Sequence, residues 1–593
     1  MRFCPPIAPH RITGAFITIR PQQLNSTTPS QAIPIPAPTN RRGNFWFAVT
    51  LAVALLLPLA SVLTSVFQAD QGAWQHMRAT TLADLLGNSI LLLSLVGIGA
   101  ASIGTGTAWL TARYNWWGRR TLEWMLVLPL AMPAYVMAYT YTDLLQYAGP
   151  VQSVLRETFG WTTKSDYWFF DIRTVGGAAT MLTCALYPYV YLLARVAFLE
   201  RSTSFIEVGR TFGYGRWSML FRVTLPLARP AIVAGIALVM METLADYGTV
   251  SYFGVNTFTT GIFNAWFAQG DRIAAAKLAS MLLGFVAIVL FIESHARRRV
   301  RFADALSRPA QRTQLQGHAA VAAFAACSLP LVAGFLLPAL LLVRLAVGEL
   351  TSAGGNTNDA FVTLFNPGDF AQLAWNSFSI AILTAAIAVV LGLLLAYANR
   401  RSPSMVMAVA NRAVGLGYAI PGTVIAVGVL IPVTALDHRL ADAIGTLLGR
   451  DVGLILTGGF AVLVYAYLIR FLAISLQTCE AGFAKITPSM DAAARSLGAS
   501  DREVVRRVHM PLLRTSLITA GLMVFVDVMK ELPATLVMRP FNFDTLAVRT
   551  YTLAKDERLA EASIAALAIV LVGLIPVVVA SRAITRPTGN EPR

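Results

Sequence analysis

No Gly-Lys dipeptide occurs anywhere in the 593 residues, so the phosphate-cradling loop G-x-x-x-x-G-K-[ST] is absent and no nucleotide site of that kind exists in the chain. Charge is scarce as well: 13% of residues are charged, against 56% hydrophobic. A soluble protein of this size needs far more polar surface. Cysteine is rarer still. Cys4, Cys184, Cys327 and Cys479 share no CxxC pair or metal-ligand spacing, which argues against disulfides and zinc. His76, His318, His438 and His509 are scattered, and no nucleophile, base or metal constellation of a membrane enzyme stands out. Residues 1–43 hold five arginines and no acid, and they lack the apolar core of a signal peptide.

What the sequence has in abundance is apolar runs of about 20 residues or more, each able to cross a hydrocarbon layer of roughly 30 Å. The runs are continuous rather than alternating, which excludes a β-barrel and predicts an all-α, polytopic membrane protein of about 12 spans. The net charge of +16 sits largely on arginines in short loops, a pattern of topology and anionic-lipid contact rather than of nucleic-acid binding. The spacing predicts a cytoplasmic, Pro- and Ser-rich disordered tail (1–43), a first membrane domain (44–296), an Arg-rich cytoplasmic linker (297–318), a second membrane domain (319–583) and a short cytoplasmic tail (584–593). Arginine placement puts both termini in the cytoplasm. Pro129 and Pro133 predict a kink in the third span, about Leu122 to Tyr147.

The halves repeat one another. Asn88-Ser89 recurs as Asn376-Ser377 and Pro133 as Pro421, 288 residues on; Gly213, Pro226 and Asp246 correspond to Gly498, Pro511 and Glu531, 285 residues on. Two pseudo-equivalent halves around a central path, related by an axis along the membrane normal, are the expected architecture.

Within the repeat, one Arg-rich loop stands out. Glu207-Val208-Gly209-Arg210-Thr211-Phe212-Gly213 is followed thirteen residues later by Pro226, and Ala492-Ala493-Ala494-Arg495-Ser496-Leu497-Gly498 by Pro511 at the same spacing. This reads as a helix, a glycine turn and a second helix beginning near the proline. The pattern resembles the coupling loop of ABC-importer permeases, Glu-Ala-Ala…Gly…Ile-x-Leu-Pro. The stretches Glu242–Gly248, Thr257–Ile262 and Ala494–Gly498 resemble the fused, two-copy permease family that moves ferric iron, and the likeness runs roughly from Asn44 to Ser581. The first copy departs at Val208 and Gly209; the second has Ala492 at the glutamate position, with Asp491 one residue early.

The resemblance implies a type I importer fold in a bacterial inner membrane, with two ATPase subunits seated on Glu207, Gly213 and Pro226 and on Asp491, Ala492, Gly498 and Pro511. It also implies a periplasmic binding protein that delivers cargo, and ATP and Mg held by the ATPase rather than by this chain. Import of thiamine, phosphonate or polyamine by the same architecture is the alternative. A proton-driven carrier using Glu242, Asp246 and Glu531 as a relay belongs to a different class.

A charge in mid-bilayer costs about 2.5–3.5 kcal/mol, so intramembrane carboxylates usually face a bundle interior. Glu242 and Asp246 on the fifth span, and Asp527 and Glu531 at the equivalent place, are candidates for the lining of a cation path, suited to a hard ferric ion. The competing reading is an interhelical clamp, with Lys530 pairing with Glu531. Tyr135, Tyr139, Tyr187, Tyr189 and Tyr191 are read chiefly as an interfacial belt. No metal site is assigned.

Overall fold

The computed structural model describes residues 41–69, 72–199, 211, 213–297, 312–352, 367–401, 403–449 and 453–584. Glu207, most of the N-terminal tail, most of the linker and the last nine residues lie outside the described residues. In an apolar solvent each backbone N–H and C=O must find its partner within the chain, and apolar runs therefore wind into helices. Among the described residues 11 helices are long and apolar enough to span a membrane, or 12 if one bent pair counts as a span.

The first half runs α1 (Arg41–Ser65), α2 (Leu82–Arg113), α3 (Arg119–Met125), α4 (Ala134–Leu145), α5 (Val175–Leu199), α6 (Leu225–Ala245), α7 (Gly248–Tyr252), α8 (Phe258–Phe263) and α9 (Arg272–Arg297). The second half runs α10 (His318–Leu331), α11 (Leu337–Ser352), α12 (Pro367–Arg401), α13 (Met405–Leu416), α14 (Gly422–Leu448), α15 (Phe460–Phe483), α16 (Pro488–Ser496), α17 (Met510–Met529), α18 (Pro533–Met538), α19 (Leu546–Lys555) and α20 (Leu559–Ile584). A two-residue parallel pairing of Tyr114–Asn115 with Thr313–Gln314 fastens the end of the linker to the first half.

The halves exchange their leading spans. α1 packs on α13 and α14 of the second half, while α10 packs on α2 and α3 of the first. The exchange is pinned by tyrosines: the Tyr141 hydroxyl donates to the carbonyl of Ala333 at 2.6 Å, and the Tyr465 hydroxyl donates to that of Ala54. Each half is therefore incomplete without the other.

The sequence repeat returns as repeated contacts. The Asn88 amide donates to the Asn256 carbonyl at 3.0 Å, and Asn376 to the Asp544 carbonyl at 3.1 Å. The hydroxyls of Ser89 and Ser377 accept from the N–H groups of Phe258 and Leu546. A third repeated contact keeps its place and changes its chemistry. Glu123 forms a buried ion pair with Arg195, whereas at the matching positions Asn411 donates to Glu480 at 2.7 Å.

Three expectations change. The third span is not kinked but broken, with a 93° bend between residues 119–131 and 134–159, and Pro133 is the residue before α4. Pro226 and Pro511 do not begin helices. Each sits just inside a continuous helix, directly after a wide π turn, where Leu225 N–H reaches the Leu220 carbonyl and Met510 N–H that of Val505. A proline ring clashes with the carbonyl four residues back in a regular helix, and the wider turn displaces that carbonyl. Tyr139, Tyr187 and Tyr191 form no interfacial belt: all three are fully buried, and the Tyr191 hydroxyl donates to the Glu123 carbonyl at 2.7 Å.

Close approach of α2 to α5, and of α12 to α15, depends on matched glycines. A Cβ on Gly104 would lie 2.8 Å from the Tyr187 carbonyl oxygen, and one on Gly392 3.0 Å from the Leu476 nitrogen. Gly106, two residues away, faces open space. Gly104→Ala and Gly392→Ala should therefore lower the melting temperature in detergent, since overpacking costs typically about 1–3 kcal/mol. Gly106→Ala should hold or raise it by virtue of helix propensity. Thermal unfolding that falls for all three variants, or for none, would contradict this packing.

Candidate functional site

α6 does not carry its polar residues straight through. It ends at Ala245; Asp246 leaves the helix with ψ 130°, and the chain turns into the short, buried α7. Breaking a helix inside a bundle leaves N–H groups without partners, and an acidic side chain at the break is the standard remedy. The N–H groups of Thr249 and Val250 donate to the Asp246 carboxylate at 3.1 Å, and the Thr249 hydroxyl donates at 3.0 Å. The second half repeats the device with matching N–H donors, its hydroxyl coming from one residue later. The N–H groups of Ala534 and Thr535 donate to Glu531 at 2.9 and 3.0 Å, and the Thr535 hydroxyl at 2.5 Å. Glu242 and Asp246 therefore do not lie on one continuous helix, because α6 stops between them.

The two breaks meet at the seam between the halves, around a cavity of about 140 Å³. Its lining brings together all four carboxylates singled out by sequence: Glu242, Asp246, Asp527 and Glu531. It adds two cations, Arg470 and Lys530, and the phenols of Tyr135, Tyr189 and Tyr418. Lys530 does not pair with Glu531; it holds Asp527 at 2.8 Å. Arg470, on α15, lies 3.4 Å from Glu531 of its own half and 3.8 Å from Glu242 of the other. Gly422 makes room for the pair, since a Cβ there would come within 2.7 Å of a Glu531 carboxylate oxygen and 3.0 Å of an Arg470 nitrogen. Among the described residues no group of three His, Cys, Asp or Glu side chains converges tightly enough to hold a metal ion.

Sequence reasoning passed over Arg470, although the signal was present. It interrupts Ala466-Tyr467-Leu468-Ile469-Arg470-Phe471-Leu472, an otherwise uncharged run, and the cost argument applied to Glu242 applies equally to it. Tyr418 and Gly422 carry no such signal, because their place at the cavity depends on the chain break before Pro421.

The second candidate region is the loop ahead of α17. Gly498 has φ +86° and closes α16, with its N–H on the Arg495 carbonyl and that of Ala499 on the Ala494 carbonyl, the double bond of a left-handed helix stop. Gly213 has φ +74° at the matching turn. A Cβ on either would meet nothing within 4 Å, so backbone conformation rather than space selects glycine. Met490 and Ala493 on α16 and Leu497 just past its end are exposed, Leu497 88% accessible, so the helix and its stop present an uncovered apolar stripe.

Asp491 does not point outward with that stripe. His509 hydrogen-bonds it at 2.8 Å and Arg400 donates to it at 2.9 Å, while Arg400 also donates to the carbonyls of Phe483 and Ile486. Burial opposes ionisation of Asp491, but the hydrogen bonds from His509 and Arg400 outweigh it and hold the carboxyl below its usual range. The first half has Ala112 and Thr224 where the second has Arg400 and His509, so it lacks both partners of this anchor.

A carboxylate with a depressed pKa stabilises the fold above its unfolded pKa and loses that contribution as pH falls through the folded value. The anchor is therefore intact at neutral pH and fails only well into the acid range, below about 3.9. Asp491→Asn should raise amide exchange across 488–497 about tenfold to a hundredfold at pH 7, matching the roughly 1.5–3 kcal/mol of a charged hydrogen bond. Hydrogen-exchange mass spectrometry decides this, and unchanged protection in the variant would show that α16 is held by other contacts.

Comparison with known proteins gives this geometry a family. Residues 100–302 match the binding-protein-dependent transport system inner membrane component. The chain is 26% identical over 545 residues to the Fe(3+)-transport system permease protein FbpB 2 of Haemophilus influenzae, covering 91% of this chain and 98% of that one. It is 24% identical to the ferric transport system permease protein FbpB of Actinobacillus pleuropneumoniae, over 80% of this chain and 67% of the relative. The sulfate transport system permease protein CysT of Escherichia coli is 28% identical over 42% of this chain and 91% of its own. The first half thus carries the inner-membrane domain of binding-protein-dependent transport systems, and the chain as a whole, a membrane bundle of two repeated halves, is similar end to end to permeases of such systems that fuse two halves.

Proposed function

We propose that the chain imports ferric iron through the cavity at the seam of its halves, receiving the ion from a periplasmic binding protein and driven by two copies of an ATPase. The observation that carries this reading is the cavity lining, four carboxylates against two cations, contributed by both halves. Hard carboxylate oxygens suit a hard trivalent ion, and an excess of acid over base favours a cation over an oxyanion such as sulfate. Three relatives that cover most of this chain are named as ferric permeases.

Energy enters at the opposite region. α16 offers its apolar stripe, Met490 and Leu497 with the alanines between, to a groove on one ATPase copy. The segment around Glu207, Gly213 and Pro226 serves the other copy, and Ala492, Gly498 and Pro511 frame the second contact. ATP and Mg stay on the ATPase, and this chain binds no cofactor of its own. Arg113 ends α2 with Arg119 and Arg120 just beyond it, and the ring of Trp109 on α2 lies 6.1 Å, centroid to centroid, from that of Trp217 just past the Gly213 turn. The Arg-rich loops and the coupling segments therefore share one end, which the positive-inside rule makes cytoplasmic. On this reading both chain termini face the cytoplasm of a bacterial cell, and domains 44–296 and 319–583 lie in the inner membrane.

The test of cargo uses Glu242 and Asp527 rather than Asp246 and Glu531, because the last two hold helix breaks together and their loss would unfold the seam. In proteoliposomes containing the permease, its ATPase and its binding protein, radiolabelled ferric iron should accumulate only with ATP. Glu242→Gln with Asp527→Asn should lower the initial rate about tenfold or more at equal protein level, as expected when charges lining a path are lost. Full-rate uptake by that variant would remove the cavity from the path.

A further inference from the structure

We propose that Arg470 is a tethered counter-cation that latches the two halves together across the cavity, and that cargo takes its place when they part. This rests on the reading of the cavity as the cargo path. The latch has a fixed side and a loose side. On the fixed side, Glu531 is held by the N–H groups of Ala534 and Thr535, and Arg470 meets it within its own half at 3.4 Å. On the loose side, Arg470 reaches Glu242 of the first half at 3.8 Å, an ion pair longer than a hydrogen bond. No other ion pair to Glu242 is present among the described residues.

The supply of positive charge is one-sided. The first-half positions matching Arg470 and Lys530 are Ala185 and Ala245, so the cation that faces Glu242 belongs to the other half. When the halves separate, Arg470 stays with Glu531, and Glu242 is left facing the cavity uncompensated. An entering cation then restores the balance that the guanidinium supplied. Opening and cargo binding become two sides of one exchange, charge for charge. In the closed state the same guanidinium keeps the Glu242 and Glu531 carboxylates from repelling each other across the seam.

The test measures leak through the full chain alone in liposomes with entrapped calcein, using cobalt(II) as a small-cation quencher. The wild-type chain should be tight. Arg470→Gln leaves two carboxylates opposed across the seam and should quench at least tenfold faster, while Arg470→Lys keeps a cation and should stay within about twofold of wild type. Adding Glu242→Gln to Arg470→Gln removes the repulsion and should restore tightness, a reversal that general damage to the bundle would not show. If Arg470→Gln fails to insert, Glu242→Lys, at a side chain 22% exposed, sets two cations against each other and should leak in the same way. A tight Arg470→Gln, a tight Glu242→Lys, or a leak that persists in the double variant would overturn the latch. The assay contains no iron, ATPase or binding protein. A failed latch therefore leaves the cargo reading standing, whereas iron uptake indifferent to Glu242 and Asp527 would sink the cargo reading and with it the exchange of Arg470 for cargo, leaving the leak assay to decide the contact across the seam.

Discussion

A membrane-spanning helix that stops inside the bundle must find partners for the N–H groups of whatever follows. Here those partners are Asp246 and Glu531, each accepting two backbone N–H bonds and one hydroxyl. Most of the seam follows from that requirement. The breaks place a carboxylate from each half at equivalent positions, and both carboxylates line the cavity at the seam. Buried carboxylates in turn demand compensation, since an isolated charge in an apolar interior is prohibitively costly. Arg470 and Lys530 provide it, but only from the second half. A structural necessity, the capping of broken helices, thus sets the electrostatics of the cavity through which the cargo is proposed to pass.

The pseudo-twofold symmetry is strict where backbone geometry is at stake and relaxed where charge is. Asn88 and Asn376 tie the same loops, and Gly104 and Gly392 admit the same close approach. Charge is distributed unevenly: Glu123 with Arg195 becomes Asn411 with Glu480, Arg470 has Ala185 as its first-half counterpart, and the Asp491 anchor of α16 lacks its partners on the other side. Fusion of the two halves in one chain makes this possible, because each copy is free to diverge while a homodimer's copies are not. The second half thereby carries both the cations of the seam and the rigid mounting of its exposed helix.

The span number, the repeat and its offsets were legible because they are periodic or duplicated signals, and duplicated residues such as Asn88 and Asn376 turned out to make duplicated contacts. The four cavity carboxylates were legible because charge is costly in an apolar run. Their individual roles were not, since the end of α6 at Ala245 has no strong local breaker before Asp246, and only the tertiary setting distinguishes a helix cap from a helix face. Arg470 was overlooked because its partners lie 61 residues away and in the other half. Pro226 and Pro511 misled in a specific way. Proline favours a helix start, yet a π turn one residue earlier lets it sit within a continuous helix. The buried tyrosines show the limit of an interfacial-belt argument, which rests on residue type and cannot register that α4 and α5 pack in the centre of the bundle.

The exchange of Arg470 for cargo is most directly tested by a structure of the whole transporter trapped with a non-hydrolysable nucleotide, with the seam open. The account predicts that Arg470 remains beside Glu531, near its present 3.4 Å, while its 3.8 Å contact with Glu242 is broken and Glu242 faces the opened cavity. An open cavity with the Arg470–Glu242 contact intact, or with Arg470 moved to the first half and away from Glu531, would contradict it.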